Sequence, residues 1–268
     1  MTTAELIKAG KLTEARQQLV QEVKAAPADL GRRTTLCQVL CFCGEWDKAE
    51  RHLDVICTQD PKRETGVQVY RNLIQAERER LDVIQLRRRP AFLTEAPPWL
   101  DTFWSALENI AANAPEEAES LFDQAEKQHV PVSGTVNRMP FSGIRNTDSR
   151  LSCFLEAFVH ERYIWIPFAS VREMILSPPK TLMDLLWVSV SITAWSGLAI
   201  NGYLPVLYAA SSSHEDERVR LGQMTDWQVL CGPFARGLGQ QVLQIGDTDM
   251  ALLEIRDLLC NPPSPTDG

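Results

Sequence analysis

The sequence predicts an α+β protein in two parts: an N-terminal superhelix of paired α-helices, followed by a small antiparallel β barrel or sandwich. Two observations lead to this prediction. The first half repeats itself with a period of 34 residues. The second half changes to short segments in which apolar and polar residues alternate. The length of 268 residues is sufficient for one large or two modest domains.

The repeat occurs in residues 9–27 (AGKLTEARQQLVQEVKAAP) and again in residues 43–61 (CGEWDKAERHLDVICTQDP). Four residue types recur at the same offset, in the pairs Gly10/Gly44, Ala15/Ala49, Leu19/Leu53 and Pro27/Pro61. This spacing is typical of tetratricopeptide repeats. In that pattern glycine ends the first helix, alanine lies where two helices cross closely, and proline closes the unit because it cannot continue a helix.

A third copy begins near Glu64 and then departs from the pattern. The position where glycine is expected is Arg78, and the helix is predicted to continue to about Arg89. A further helix pair follows a proline-bearing break, so we place the helical repeat domain at residues 1–130. Residues 131–150 are rich in Gly, Pro, Asn and Ser and are predicted to be a linker or a crossing loop.

Residues 151–260 are predicted to form the antiparallel β domain, with about seven short strands. The uncharged run 185–213 is long enough to span a bilayer. Its apolar residues alternate with Ser and Thr, and it contains Gly and Pro, so we interpret it as strands and predict no membrane span. Residues 261–268 (NPPSPTDG) are predicted to be a flexible tail.

Composition limits the partners and the compartment. The net charge of −8 argues against a nucleic acid or an anionic membrane as partner, because both would repel the average surface. The seven cysteines are an odd number, and four of them lie on predicted repeat helices. We interpret them as reduced thiols, and since no signal peptide is visible we expect a cytoplasmic protein.

Residues that could carry chemistry are few. Cys37, Cys41, Cys43 and His52 could bind zinc, although packing in a helical core explains the cysteines better. The glycine-rich stretch 232–240 lacks the Lys-Ser or Lys-Thr of a phosphate loop. No recognisable nucleophile–base motif is present. The sequence therefore predicts a protein that is not an enzyme and uses no metal or cofactor.

Five strings of the second half resemble one known family in this order: DSRL (148–151), ERYIWIPF (161–168), PPKTLMDLLW (178–187), YLPVLY (203–208) and RLGQMTDW (220–227). They resemble the ImpE/SciE/TagJ family of type VI secretion accessory proteins, and the resemblance covers both halves. It implies a tetratricopeptide-like part, a β domain and a cytoplasmic, non-enzymatic role. The implied partners are a helix of the small sheath subunit and the ClpV unfoldase. The polar, shortened turn AWSGLAING (194–202) departs from the charged turn that the resemblance implies.

Solenoids of helix pairs bind helices or extended peptides on their inner faces. The repeat register places eight residues on that face, although each could equally be ordinary surface: Thr34, Gln38, Cys41, Phe42, Gln68, Arg71, Asn72 and Gln75.

A different hypothesis makes the β domain a sensor or enzyme that binds a small molecule or a nucleotide. A polar pocket that gathers His160, Arg220 and Asp226 would favour it. We otherwise expect Asp148, Arg150, Asp184 and Asp226 to pair or to cap turns. We also expect Trp187 and Trp227 to be buried.

Overall fold

The structure is a computed structural model that describes residues 1–93 and 95–262. The helices of these residues are α1 Thr3–Lys8, α2 Leu12–Ala25, α3 Leu30–Phe42, α4 Trp46–Gln59, α5 Glu64–Ile84, α6 Leu100–Ala111, α7 Pro115–Glu126 and α8 Glu217–Arg220. Seven of these helices precede residue 130, and the remainder of the chain is mainly strands and 3₁₀ turns. The change from helix to strand thus follows α7.

The strands in the described residues are β1 Ala91–Phe92, β2 Ser133–Val136, β3 Met139–Ser142, β4 Ile144–Asn146, β5 Phe154–Val159, β6 Arg162–Pro167, β7 Val171–Leu176, β8 Trp187–Ala194, β9 Ala199–Pro205, β10 Thr225–Cys231, β11 Phe234–Gly239, β12 Val242–Ile245, β13 Thr248–Ala251 and β14 Asp257–Cys260. Nine of them form one sheet in the order β1-β6-β5-β9-β8-β7-β14-β2-β3. Strands β10 and β11 form a two-stranded sheet. Strands β13, β12 and β4, in that order, form a three-stranded sheet. All pairings are antiparallel except that of β1 with β6. The α+β class with a mostly antiparallel sheet is therefore confirmed.

The uncharged run forms the centre of the large sheet. In β8, Val188, Val190 and Ile192 are buried, whereas Ser191 is exposed. This is the pattern expected where one face of a strand packs on a core. Strands β5 and β6 pair as an antiparallel hairpin.

Several predictions of local structure were wrong. Residues 131–150, predicted to be a linker or crossing loop, contain β2, β3 and β4. These strands have only three or four residues, too few to show a period, and they include glycine and proline. The hairpin β10-β11 and strand β14 were not predicted. Helix α5 ends at Ile84 rather than near Arg89, because Leu86 adopts a positive φ of 59°. Of the predicted tail 261–268, residues 263–268 lie outside the described residues.

The repeat residues occupy the positions that their chemistry requires. Gly10 and Gly44 follow α1 and α3 with φ angles of 74° and 68°, a conformation that favours glycine. Ala15 and Ala49 have no exposed surface in α2 and α4. A larger side chain at either alanine would have to displace a neighbouring helix.

We expect Ala15→Leu and Ala49→Leu each to lower the free energy of unfolding by roughly 1–3 kcal/mol, because extra methylenes overpack a closed core. Thermal or urea unfolding measures the change. Ala25→Leu is the matched control, since Ala25 is exposed at the end of α2. Equal stability of all three variants and the wild type would show that the alanines do not lie at close helix crossings.

The turns of the first two repeats dock on the β half. A Cβ atom at Gly10 would lie 2.7 Å from Cγ of Arg218, and one at Gly44 would lie 2.7 Å from Oγ of Ser212. The Glu217 carboxylate accepts hydrogen bonds from the Thr13 backbone N–H at 3.1 and 3.2 Å. Helix α2 has no side-chain cap of its own, so Glu217 supplies one from the other half of the chain.

The C-terminal half of α5 joins the helices to the sheet through Arg80, whose side chain is 1% exposed. Arg80 Nε and Nη2 donate to the two carboxylate oxygens of Glu156 on β5, at 2.8 and 2.6 Å. Arg80 Nη1 donates to Glu77 at 3.2 Å. Burial acts to lower the pKa of Arg80, but the charges of Glu156 and Glu77 outweigh it and raise that pKa above its ordinary value.

Polar groups from other parts of the β half complete this buried network. Trp187 Nε1 donates to Glu77 at 3.1 Å, and Gln241 Nε2 donates to Glu156 at 2.8 Å. The Tyr163 hydroxyl also donates to Glu156 at 2.5 Å, and its backbone N–H donates to Glu79 on α5 at 2.9 Å. Each buried carboxylate therefore has several partners, which is the condition under which burial of charge is tolerated.

We expect Arg80→Ala to destabilise the protein by about 3–5 kcal/mol, because it leaves Glu156 and Glu77 buried without a counter-ion. Chemical denaturation measures the loss. Arg78→Ala is the matched control on the same helix: Arg78 pairs with Asp47 and Glu50 but is 34% exposed. It should cost at most about 1 kcal/mol. If Arg80→Ala lowered the free energy of unfolding as little as Arg78→Ala does, Arg80 would not be essential to the contact between α5 and the sheet.

Candidate functional site

The structure connects α3 and α5 through Gln38, one of the predicted inner-face residues. Gln38 on α3 donates from Nε2 to the Tyr70 hydroxyl on α5 at 2.7 Å. Burial raises the pKa of Tyr70 to about 12, so its phenol is protonated at neutral pH and is held between the two helices. On α5, Gln68 Nε2 donates to Asn72 Oδ1 at 2.8 Å, one turn away. The two helices thus form one polar surface.

The members of this surface differ in how accessible they are. Gln68 and Gln75 are exposed, whereas Thr34, Gln38 and Asn72 are half-buried. Thr34 uses its hydroxyl within its own helix, donating to the Leu30 carbonyl at 2.8 Å. The exposed amides of Gln68 and Gln75 are therefore the most accessible contact groups. We call the residues Gln38, Gln68, Asn72 and Gln75 the α3–α5 face.

Three of the predicted residues do not belong to an open surface there. Phe42 and Cys41 are each 1% exposed, and both belong to the hydrophobic core. Every residue from Leu36 to Phe42 except Gln38 is buried. An apolar run on all sides of a helix indicates burial, and this signal was present in the sequence. Arg71 pairs with Asp54 on α4 at 2.7 Å, so it is directed towards the neighbouring helix.

The residues of the rival small-molecule site are not assembled. Asp226 is exposed and its Oδ2 lies 3.2 Å from Nε2 of His214. His160 is exposed in the turn between β5 and β6, with a φ of 55°. Arg220 is close enough to Cys43 to act on its pKa electrostatically. The hydrogen bonds and ion pairs of the described residues connect none of the three to another, so they do not form the polar pocket that the hypothesis requires.

The structural roles expected for the aspartates, Arg150 and the two tryptophans are mostly as predicted. Arg150 donates to both oxygens of Asp148, at 2.9 and 2.6 Å, and Asp148 has no exposed surface. The Asp184 carboxylate accepts from the Thr181 backbone N–H at 2.7 Å and closes the turn between these two residues. Trp187 is buried at 1% exposure. Trp227 is the exception, because it is 46% exposed on β10.

The cysteine cluster of the repeats packs as core. Cys37 Sγ contacts the Ala49 carbonyl at 3.7 Å, and His52 Nδ1 lies 3.2 Å from Arg33 Nη1 rather than facing a thiol. Within residues 1–93 and 95–262, no group of three or more His, Cys, Asp or Glu side chains could hold a metal ion. All seven cysteines are free.

A cavity of about 1070 Å³ lies between the α6–α7 pair and the β half. Its aromatic lining residues are Trp99, Phe103, Phe122, Phe168 and Phe234. The rings of Phe122 on α7 and Phe234 on β11 are 5.2 Å apart, and those of Phe103 and Phe122 are 5.1 Å apart. Aromatic contacts thus link α6, α7 and the β10-β11 hairpin. The sequence did not predict this cavity, because its walls come from segments far apart in the chain.

A cysteine and a histidine meet at the wall of this cavity. Cys153 Sγ lies 3.5 Å from Nδ1 of His129, whose ring packs against Trp99 with centroids 4.1 Å apart. Burial raises the pKa of Cys153 to about 11 and lowers that of His129. Both shifts favour the neutral thiol and the neutral imidazole. An activated nucleophile needs the opposite shift of the thiol, so the pair has the character of a structural contact.

Comparison with known proteins relates the chain to one family along its whole length. A sequence model described as "ImpE protein" matches residues 138–259. The type VI secretion system accessory component TagJ of Pseudomonas aeruginosa is 31% identical over 262 residues, which is 98% of this chain and 92% of that protein. The chain belongs to the ImpE/TagJ family. The similarity to TagJ includes the helical half, which lies outside the 138–259 match.

A solved structure shares the fold of this family member. The crystal structure of protein VPA1032 from Vibrio parahaemolyticus matches with a TM-score of 0.86, over 97% of each chain. The two sequences are 22% identical, so the match concerns the fold alone. The five strings that suggested the family all lie within the 138–259 match. Among the residues that the structure describes, no helix has both the length and the apolar composition needed to cross a bilayer.

Proposed function

We propose that this ImpE/TagJ family member is a non-enzymatic, cytoplasmic accessory component of a type VI secretion system. The observation that carries the proposal is its identity of 31% with TagJ of P. aeruginosa over 98% of the chain, because TagJ is a type VI secretion system accessory component. The free cysteines fit a reducing compartment. The unactivated Cys153–His129 pair and the unassembled residues His160, Arg220 and Asp226 offer no support for catalysis.

We propose further that α1–α5 form a tetratricopeptide-like superhelix whose α3–α5 face binds an amphipathic helix of the small sheath subunit. The buried alanines and the positive φ angles at Gly10 and Gly44 support the repeat. The exposed amides of Gln68 and Gln75 support contact with a partner on this side. In this role the protein would present sheath subunits to the ClpV unfoldase. Laying a helix in a groove is a common recognition mode, and solenoids use it widely.

The composition of the α3–α5 face sets the expected energetics. Its four residues are neutral amides, so hydrogen bonds and the burial of the partner helix, rather than charge, should supply the binding free energy. A short helix buries a modest area, and we expect micromolar affinity, about −8 kcal/mol. Because few charges are involved, added salt should weaken binding only slightly.

Gln75→Arg should weaken binding of a labelled N-terminal peptide of the small sheath subunit about ten-fold or more, because it places a long charged side chain on the α3–α5 face. Fluorescence anisotropy with the full chain measures the affinity. Gln21→Arg is the matched control: Gln21 is exposed on α2, outside this face.

Equal affinities for the wild type and both variants would move the partner site away from the α3–α5 face. Failure of the peptide to bind the wild-type chain at all would discard the sheath-subunit helix as partner. Neither outcome would alter the family assignment, which depends on sequence identity. Phe42 is not used as a test position, because its removal would open a cavity in the core.

A further inference from the structure

The cavity beside α6–α7 has a buried aromatic floor and an exposed rim. Phe103 is 0% exposed and Phe168 is 4% exposed, whereas the rim residues Glu126, Gln128 and Arg145 are exposed. Its volume of about 1070 Å³ is at the upper end of ligand pockets, which range over roughly 300–1,000 Å³. A floor of this kind favours a large apolar group, and the space exceeds what one side chain needs.

The helix pair on one side of this cavity is strongly acidic. Residues 100–127, which form the α6–α7 pair, contain seven acidic residues and one lysine. The five acids of α7 are all exposed: Glu116, Glu117, Glu119, Asp123 and Glu126. None of these five takes part in an ion pair within the described residues. Across the cavity, Arg145 already donates to the Gln244 side chain. The negative charge of α7 is therefore not neutralised by the protein itself.

From the aromatic floor of the cavity and the exposed carboxylates of α7, which reach the cavity at Glu126, we propose that this cavity is the docking site for an extended segment of a partner protein, in which a large apolar residue lies between lysines or arginines. The apolar side chain packs on the floor of the cavity beside Phe122 and Phe234, whose rings contact each other, and the basic residues lie along α7. The carboxylates from Glu116 to Glu126 extend over about 15 Å of helix, at 1.5 Å per residue. This length fits a polypeptide better than a compact small molecule. The site is separate from the α3–α5 face.

The recognition follows general rules of interfaces. A buried anchor residue supplies most of the binding free energy, while rim charges add attraction that salt screens. Binding at this cavity should therefore depend both on the apolar residue of the partner segment and on the positive charge of the residues beside it. It should also weaken with salt, in contrast to binding at the neutral α3–α5 face.

The test uses the full chain and three fluorescein-labelled peptides, measured by anisotropy. The probe is Ala-Lys-Lys-Trp-Lys-Lys-Ala. One control replaces Trp by Ala, and the other replaces each Lys by Glu. We expect the probe to bind and each control peptide to bind at least ten-fold more weakly. The protein variant Gln128→Trp should weaken probe binding at least ten-fold, because it fills the mouth of the cavity. Gln124→Trp is the matched control, since Gln124 is exposed on α7 but does not line the cavity.

Absence of probe binding up to millimolar protein would overturn the proposal, as would equal binding by the Gln128→Trp and Gln124→Trp variants. Nile red that binds in the cavity and is not displaced by the probe would identify an apolar small-molecule site instead. The Gln75→Arg variant should bind the probe as the wild type does. Loss of sheath-peptide binding with retention of probe binding, or the reverse, therefore tells the two proposals apart.

Discussion

The architecture depends on the buried ion pair between Arg80 and Glu156. It is the point where a repeat helix meets the central part of the large sheet, and a buried charge must be fully paired to be tolerated. Arg80 therefore fixes the position of α5 relative to β5, within about the tolerance of a hydrogen bond. Glu77 and Trp187 add a second connection, from α5 to β8. The α3–α5 face and the β half are consequently held as one rigid frame.

This constraint explains how far the sequence could predict the fold. The repeat period located Gly10, Gly44, Ala15 and Ala49 correctly, because those residues serve local helix geometry. At Arg78, where the third copy lacks its glycine, the sequence also correctly predicted that the helix continues, but the period does not say why. The reason is that α5 must continue to present Glu77 and Arg80 to the sheet, which is a tertiary requirement. A period of 34 residues carries no information about a partner 76 positions away in the chain.

The candidate site was predictable only in part, for similar reasons. The helical register correctly placed Gln38 and the exposed amides of α5 on adjacent helices. The helical register also placed Phe42 on the α3–α5 face. The register describes each helix separately and gives no information about the residues that pack over the end of α3. The aromatic cavity was beyond prediction, since Phe122 and Phe234 are separated by more than a hundred residues. Their meeting depends on strands of three to seven residues whose sequence signals are weak.

The cap that Glu217 provides to α2 has a consequence for the biosynthesis of the protein. During translation the first repeat leaves the ribosome long before residue 217 is made. Until then the N-terminal amides of α2 have only water as partner, and the turn at Gly10 has no surface to dock on. The N-terminal helices consequently reach their final stability only when synthesis is nearly complete, although domains commonly fold in order from the N-terminus. Such long-range closure also slows folding, because distant segments must meet before either is stabilised.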